Sequence, residues 1–109
     1  LEVQESVDCL RGKGPADLRE VTLALAAEML LVAGVSPSIG EARARATSVL
    51  DSGAALEKFR ALVAAQGGDP RVVDEPERVL PQAALRTTVT AGKAGIVQRV
   101  EPRVIGRAI

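Results

Sequence analysis

The sequence predicts a mostly helical chain followed by a small antiparallel β lobe, and three observations predict it. Apolar residues recur at intervals of three and four between helix-capping signals over most of the first two thirds. A proline-rich, acidic stretch, with Pro70, Pro76 and Pro81 among Asp69, Asp74, Glu75 and Glu77, then interrupts that pattern. Beyond it the period shortens to two, with a glycine-rich break between two apolar runs. The boundary is placed at residue 80, giving a helical part over 1–80 and a β part over 81–109.

The elements follow in order. Val3, Val7 and Leu10 share one side of an opening helix that is already under way at Leu1, and the other end, from Val104 to Ile109, is apolar without a closing turn, so both ends read as cut. Gly12, Gly14 and Pro15 break this helix, and Pro15 suits the first turn of the next one, which should run over 15–33 and stop at Gly34. Leu18, Val21, Leu25, Met29 and Val32 form one stripe on it, with Leu23, Leu30 and Leu31 on flanking faces. A helix apolar around most of its circumference is normally central and buried. Ser36 is the expected cap of a third helix with Pro37 at its first position, turning Ile39, Ala42, Ala46 and Val49 inward and Glu41, Arg43 and Arg45 outward. Asp51 or Ser52 should cap a fourth helix over 52–66, closed by Gly67, Gly68 and Pro70. Leu56, Phe59, Leu62 and Val63 line its apolar face, and Phe59 should be buried against Leu25 and Met29. One short helical turn is expected near Arg71 to Asp74. Thr87-Thr88-Val89-Thr90 and Ile96-Val97-Gln98-Arg99-Val100 then read as two strands joined at Gly92-Lys93-Ala94-Gly95.

Composition excludes several classes of function. The chain has 109 residues, 47% hydrophobic and 26% charged, enough for one modest core. Fourteen basic residues balance fourteen acidic ones, which gives no electrostatic reason to expect nucleic acid or an anionic membrane as partner. With no His, Trp or Tyr, imidazole acid–base catalysis, histidine metal ligation and broad aromatic stacking platforms are all missing. Cys9 is the single cysteine, so it forms no internal disulfide or paired-cysteine zinc site and reads as a small buried apolar residue. The longest apolar run is too short to span a membrane, and no basic, apolar leader is visible; a cytoplasmic setting fits.

Few motifs offer chemistry. A P-loop needs a further glycine upstream and Ser or Thr directly after its Gly-Lys pair, whereas Gly92-Lys93 has Thr87 at the first position and Ala94 at the second. Gly12-Lys13-Gly14 likewise reads as a turn. Lys93 lies at a hairpin tip, as does the modified lysine of biotin- and lipoate-carrying domains, but it lacks their flanking residues and reads as a solvated turn residue. Arg43 and Arg45 sit two apart and diverge on a helix, which favours a solvated face over a phosphate clamp. Glu2, Glu5 and Asp8 follow at successive threes, and a solvated acidic face is their plain reading.

Several stretches, taken in order, resemble the thymidine and pyrimidine-nucleoside phosphorylases. These are Leu1-Glu2-Val3-Gln4-Glu5-Ser6-Val7, Gly12-Lys13-Gly14-Pro15-Ala16-Asp17-Leu18-Arg19-Glu20, Ser52-Gly53-Ala54-Ala55-Leu56 and Ala64-Ala65-Gln66-Gly67-Gly68-Asp69-Pro70, with Leu80-Pro81, Gly95-Ile96-Val97 and Ile105-Gly106 in the tail. The resemblance implies a fragment of the large α/β domain of such an enzyme, reaching over 81–109 into its C-terminal β-rich lobe. It implies phosphate-dependent cleavage of thymidine or uridine in the parent, in a cleft between a small helical domain and the large domain, with phosphate as co-substrate and no organic cofactor. It further implies a homodimer formed through a domain outside this segment. No residue here matches the family's catalytic, phosphate-binding or base-binding motifs, so the segment alone is expected to be inactive and to serve as scaffold. Glu5 matches the position at which family members supply a carboxylate to a structural cation, potassium or another. Two other readings stand beside this one: a non-enzymatic helical interaction module, and a related phosphoribosyltransferase or nucleotide phosphorylase.

Overall fold

The computed structural model of the chain describes residues 1–108. Four helices make up its body: α1, Glu2–Leu10; α2, Ala16–Val32; α3, Ile39–Asp51; and α4, Ala54–Ala65. A 3-10 turn, Pro70–Val73, and two short helices, α5, Pro76–Val79, and α6, Pro102–Ala108, follow. The largest contact joins α2 to α3, while α4 packs on the 3-10 turn, on α3 and on α1.

Local chemistry explains the breaks. Gly14 lets the turn after α1 fold tightly, since a Cβ there would lie 2.8 Å from the Cys9 Cα. The cap of α3 is Ser38 rather than the expected Ser36: its hydroxyl accepts from the Glu41 backbone N–H at 3.3 Å, and Glu41 stands three residues on, the spacing of a capping box. Ser36 is instead buried, its N–H donated to the Leu30 carbonyl at 3.3 Å. Neither Asp51 nor Ser52 is the N-cap of α4. Asp51 is the last residue of α3, and Gly53, at φ 78°, makes the left-handed turn between the two helices. Gly67, at φ 77°, closes α4 as expected, with the Gly68 N–H returned to the Val63 carbonyl at 2.9 Å. The anticipated turn after Pro70 is present, with Asp69 accepting from the Arg71 N–H at 2.9 Å.

The core is thin. Among the described residues the buried apolar side chains are Val7, Cys9, Leu23, Ala27, Ala42, Leu50, Val72 and Val73, with Pro76 beside them. Helix α2 is not buried all round: Leu23 and Ala27 are covered, whereas Val21, Leu25, Met29 and Val32 are exposed. Phe59, expected against Leu25 and Met29, is only half-buried, because α4 makes its main contacts with other elements. On α3, Ala42 and Leu50 are covered, while Ile39 and Val49 remain 46% and 43% exposed.

The β lobe predicted over 81–109 does not form. Among the described residues there is no strand, no backbone hydrogen bond joins 87–90 to 96–100, and every residue of 81–108 is exposed. An isolated two-stranded hairpin is marginal in water, and these two segments find no third strand or helix on which to lay an apolar face. The radius of gyration of 17.7 Å, against about 13 Å for a compact chain of this length, reflects a tail that does not fold back. Its end is helical: Pro102 fixes the first turn of α6, and the N–H groups of Val104 and Ile105 bond the Glu101 carbonyl at 3.0 and 3.2 Å. Ile109, the last residue of the predicted lobe, lies outside the described residues.

Candidate functional site

Glu5 stands in the first turns of α1, solvent-exposed, its N–H bonded to the Leu1 carbonyl at 2.9 Å. With Glu2, Gln4, Asp8 and Lys13 it borders an open concavity of about 420 Å³ where α1 faces the turn before α2. The three carboxylates do not converge. Asp8 takes the Gln4 amide at 3.2 Å on both oxygens, and among the described residues no group of three acidic or cysteine side chains is placed to hold a metal ion. A hard cation asks for about six oxygens, so Glu5 is at most one donor of such a set.

The other residues singled out in the sequence do not gather. Arg43 reaches the Glu20 carboxylate of α2 at 2.6 Å and Arg45 contacts the Val35 carbonyl at 3.5 Å, so the two do not act as one clamp. Gly92 and Lys93 lie exposed in a bend of the tail, far along the chain from any helix of the body. Cys9 is buried and unpaired, as expected for a small core residue. Among the described residues no helix is long and apolar enough to cross a membrane.

One polar constellation escaped the sequence reading. Arg60 on α4 grips Asp74 with both guanidinium ends, at 2.6 and 2.8 Å, and also touches Glu57 at 3.2 Å and the Pro70 carbonyl at 3.4 Å. Arg11, at the end of α1, donates to the Val73 and Asp74 carbonyls, the latter at 3.0 Å. The Arg60 hydrogen bonds hold the Asp74 carboxyl below the usual carboxylate range, with the Arg11 charge adding to them, and raise Arg60 itself. Arg71 lowers Asp69 in the same way, first through its guanidinium and then through its backbone N–H. Residues 11, 60 and 74 are far apart in sequence, and only the docking of α1 and α4 on the 3-10 turn unites them. Arg11, Arg60, Glu57 and Asp74 are fixed on one another or on backbone carbonyls, an arrangement that ties elements together.

Among the described residues the helices dock on one another without bringing three acidic or cysteine side chains together at a metal-binding site. The chain is 45% identical over 108 residues to the pyrimidine-nucleoside phosphorylase of Staphylococcus aureus (strain bovine RF122 / ET3-1) and 44% identical to that of Bacillus subtilis (strain 168). Each comparison covers 99% of this chain and 25% of the relative, so the chain spans about a quarter of the length of the relatives it matches. No protein-family model matches it. The resemblance to this family read from the residues is borne out over nearly the whole chain.

Proposed function

We propose that the chain is the scaffold quarter of a pyrimidine-nucleoside phosphorylase, a pentosyltransferase that cleaves thymidine or uridine with phosphate into free base and pentose 1-phosphate. The near-complete match at 44–45% identity to enzymes of that name carries the reading. The segment supplies rigid backing, and the groups that hold nucleoside and phosphate lie in the remaining three quarters of the enzyme. Phosphate serves as co-substrate without an organic cofactor. Rate acceleration rests on holding phosphate and the anomeric carbon in attack geometry and on stabilising the departing base. The parent works in the cytoplasm as a homodimer paired through a domain outside this segment.

Glu5 contributes one carboxylate to a structural cation site, completed by oxygens from the rest of the enzyme. Its exposed position beside an open concavity supports this, since the carboxylate is free of any intrachain ion pair among the described residues. A chimera tests both statements: residues 1–108 of this chain replace the matched quarter of the Bacillus subtilis enzyme. The chimera should release base from uridine or thymidine only with phosphate, while the 109-residue chain alone releases none. Turnover by the chain alone, or a folded but inert chimera, would refute the scaffold reading. Glu5→Gln in the chimera should remove the gain in melting temperature that potassium gives; an unchanged potassium response returns Glu5 to a plain acidic face.

A further inference from the structure

Helix α2 has two apolar sides and the described chain covers one. Leu23 and Ala27 are 6% and 1% exposed, whereas Val21, Leu25, Met29 and Val32 are 56%, 62%, 71% and 85% exposed. Spacings of four, four and three place the latter set on one stripe about 16 Å long, on the opposite side of the helix from Leu23 and Ala27. Asp17 and Glu28, both exposed, border one flank of it, and the only basic residue of α2, Arg19, is turned away to Asp51 at 2.6 Å. A helix that is apolar all round is a buried helix, so this stripe lacks its cover.

We infer that the stripe Val21, Leu25, Met29 and Val32 is the face on which this segment docks onto the rest of the same full-length polypeptide, against an apolar surface rimmed by Lys or Arg. This rests on the phosphorylase reading. Two observations select that occupant. The relatives are about four times as long as the matched segment, so most of their chain is available to cover it. A second copy is a poor alternative, because four side chains expose only a few hundred Å², well short of the roughly 800 Å² per partner of a stable dimer. An acidic flank with no basic neighbour on its own helix selects a basic rim opposite.

The test compares Leu25→Gln with the conservative Leu25→Met in the chimera and in the 109-residue chain. In the chimera Leu25→Gln should lower the melting temperature by about 5 °C or more, or leave the protein insoluble, and Leu25→Met should be tolerated. In the chain alone both variants should leave the unfolding midpoint unchanged, and the chain should sediment as a monomer. Phosphorolysis by the unsubstituted chimera reports on the family reading separately from these melting shifts. Equal, small effects of Leu25→Gln in both contexts would overturn the docking face. So would self-association of the chain alone that Leu25→Gln abolishes, which would make a second copy the occupant. An unsubstituted chimera that does not fold would count against both the docking face and the phosphorylase reading.

Discussion

Replacing Val73 by alanine takes two methyl groups out of a position that is 0% exposed, in the 3-10 turn on which α4 and α5 both pack. At about 0.8 kcal/mol per buried CH₂-sized group the transfer loss is about 1.6 kcal/mol. A residual void on the order of 40 Å³, at about 24 cal/mol per Å³, adds about 1 kcal/mol. The turn has little freedom to close over the void, because the Val73 carbonyl is held by Arg11 and the neighbouring Asp74 by Arg60. A loss of about 2.5 kcal/mol is therefore expected, large for a chain with eight buried apolar side chains among its described residues. Urea unfolding followed by far-ultraviolet circular dichroism measures it. Val97→Ala is the control, since Val97 is 78% exposed in the tail and should cost almost nothing. If Val73→Ala costs no more than Val97→Ala, the packing of the 3-10 turn against the helices is refuted.

Two further outcomes are expected. Ser38→Ala removes the side-chain acceptor at the start of α3 and should cost about 1 kcal/mol in urea unfolding, with Ser38→Asn close to wild type; equal losses in the two variants would deny Ser38 its capping role. Asp69 and Asp74 are both held below the usual carboxylate range in the folded chain, so as pH falls the unfolded chain binds protons first. Their contribution is complete above about pH 5 and is lost progressively below it. Asp74→Asn should flatten this acid limb of the urea midpoint against pH, and an identical acid limb in the variant would remove Arg60–Asp74 as its cause.

What was legible in the sequence was whatever local chemistry decides. Pro15 and Gly34 bracket α2 and Gly67 closes α4 because helix ends are set by residues within one turn. The start of α3 is ambiguous by two residues because Ser36 and Ser38 both offer a hydroxyl, and only the spacing to Glu41 selects Ser38. Alternation over 87–90 and 96–100 records strand propensity, yet a strand exists only with a partner, and among the described residues these segments have none. The Arg11, Arg60 and Asp74 fastening was invisible for the same reason: its members meet only after three elements have docked. Glu5 is singled out by resemblance alone. Its local sequence is indistinguishable from an exposed acidic helix face, and among the described residues no group of three acidic or cysteine side chains is placed to hold a metal ion.

Polar contacts fasten the helices to one another over a thin core. Arg19 to Asp51, Arg43 to Glu20 and Arg60 to Asp74 join neighbouring elements, but each pair keeps at least one side chain more than half exposed. Pairs of that kind contribute about 0–1 kcal/mol each, so they set the register between elements without replacing a core. Arg11 extends the fastening to α1, the helix that bears Glu5, by anchoring its far end to the carbonyls of Val73 and Asp74. The position of Glu5 is thereby referred to α4 through the 3-10 turn, while the apolar stripe of α2 stays open on its own side. A cation bound through Glu5 and a domain body seated on α2 would grip one framework at two separate places. Loss of the α2 seat should then lower stability with or without potassium, whereas loss of Glu5 should lower it only when potassium is present.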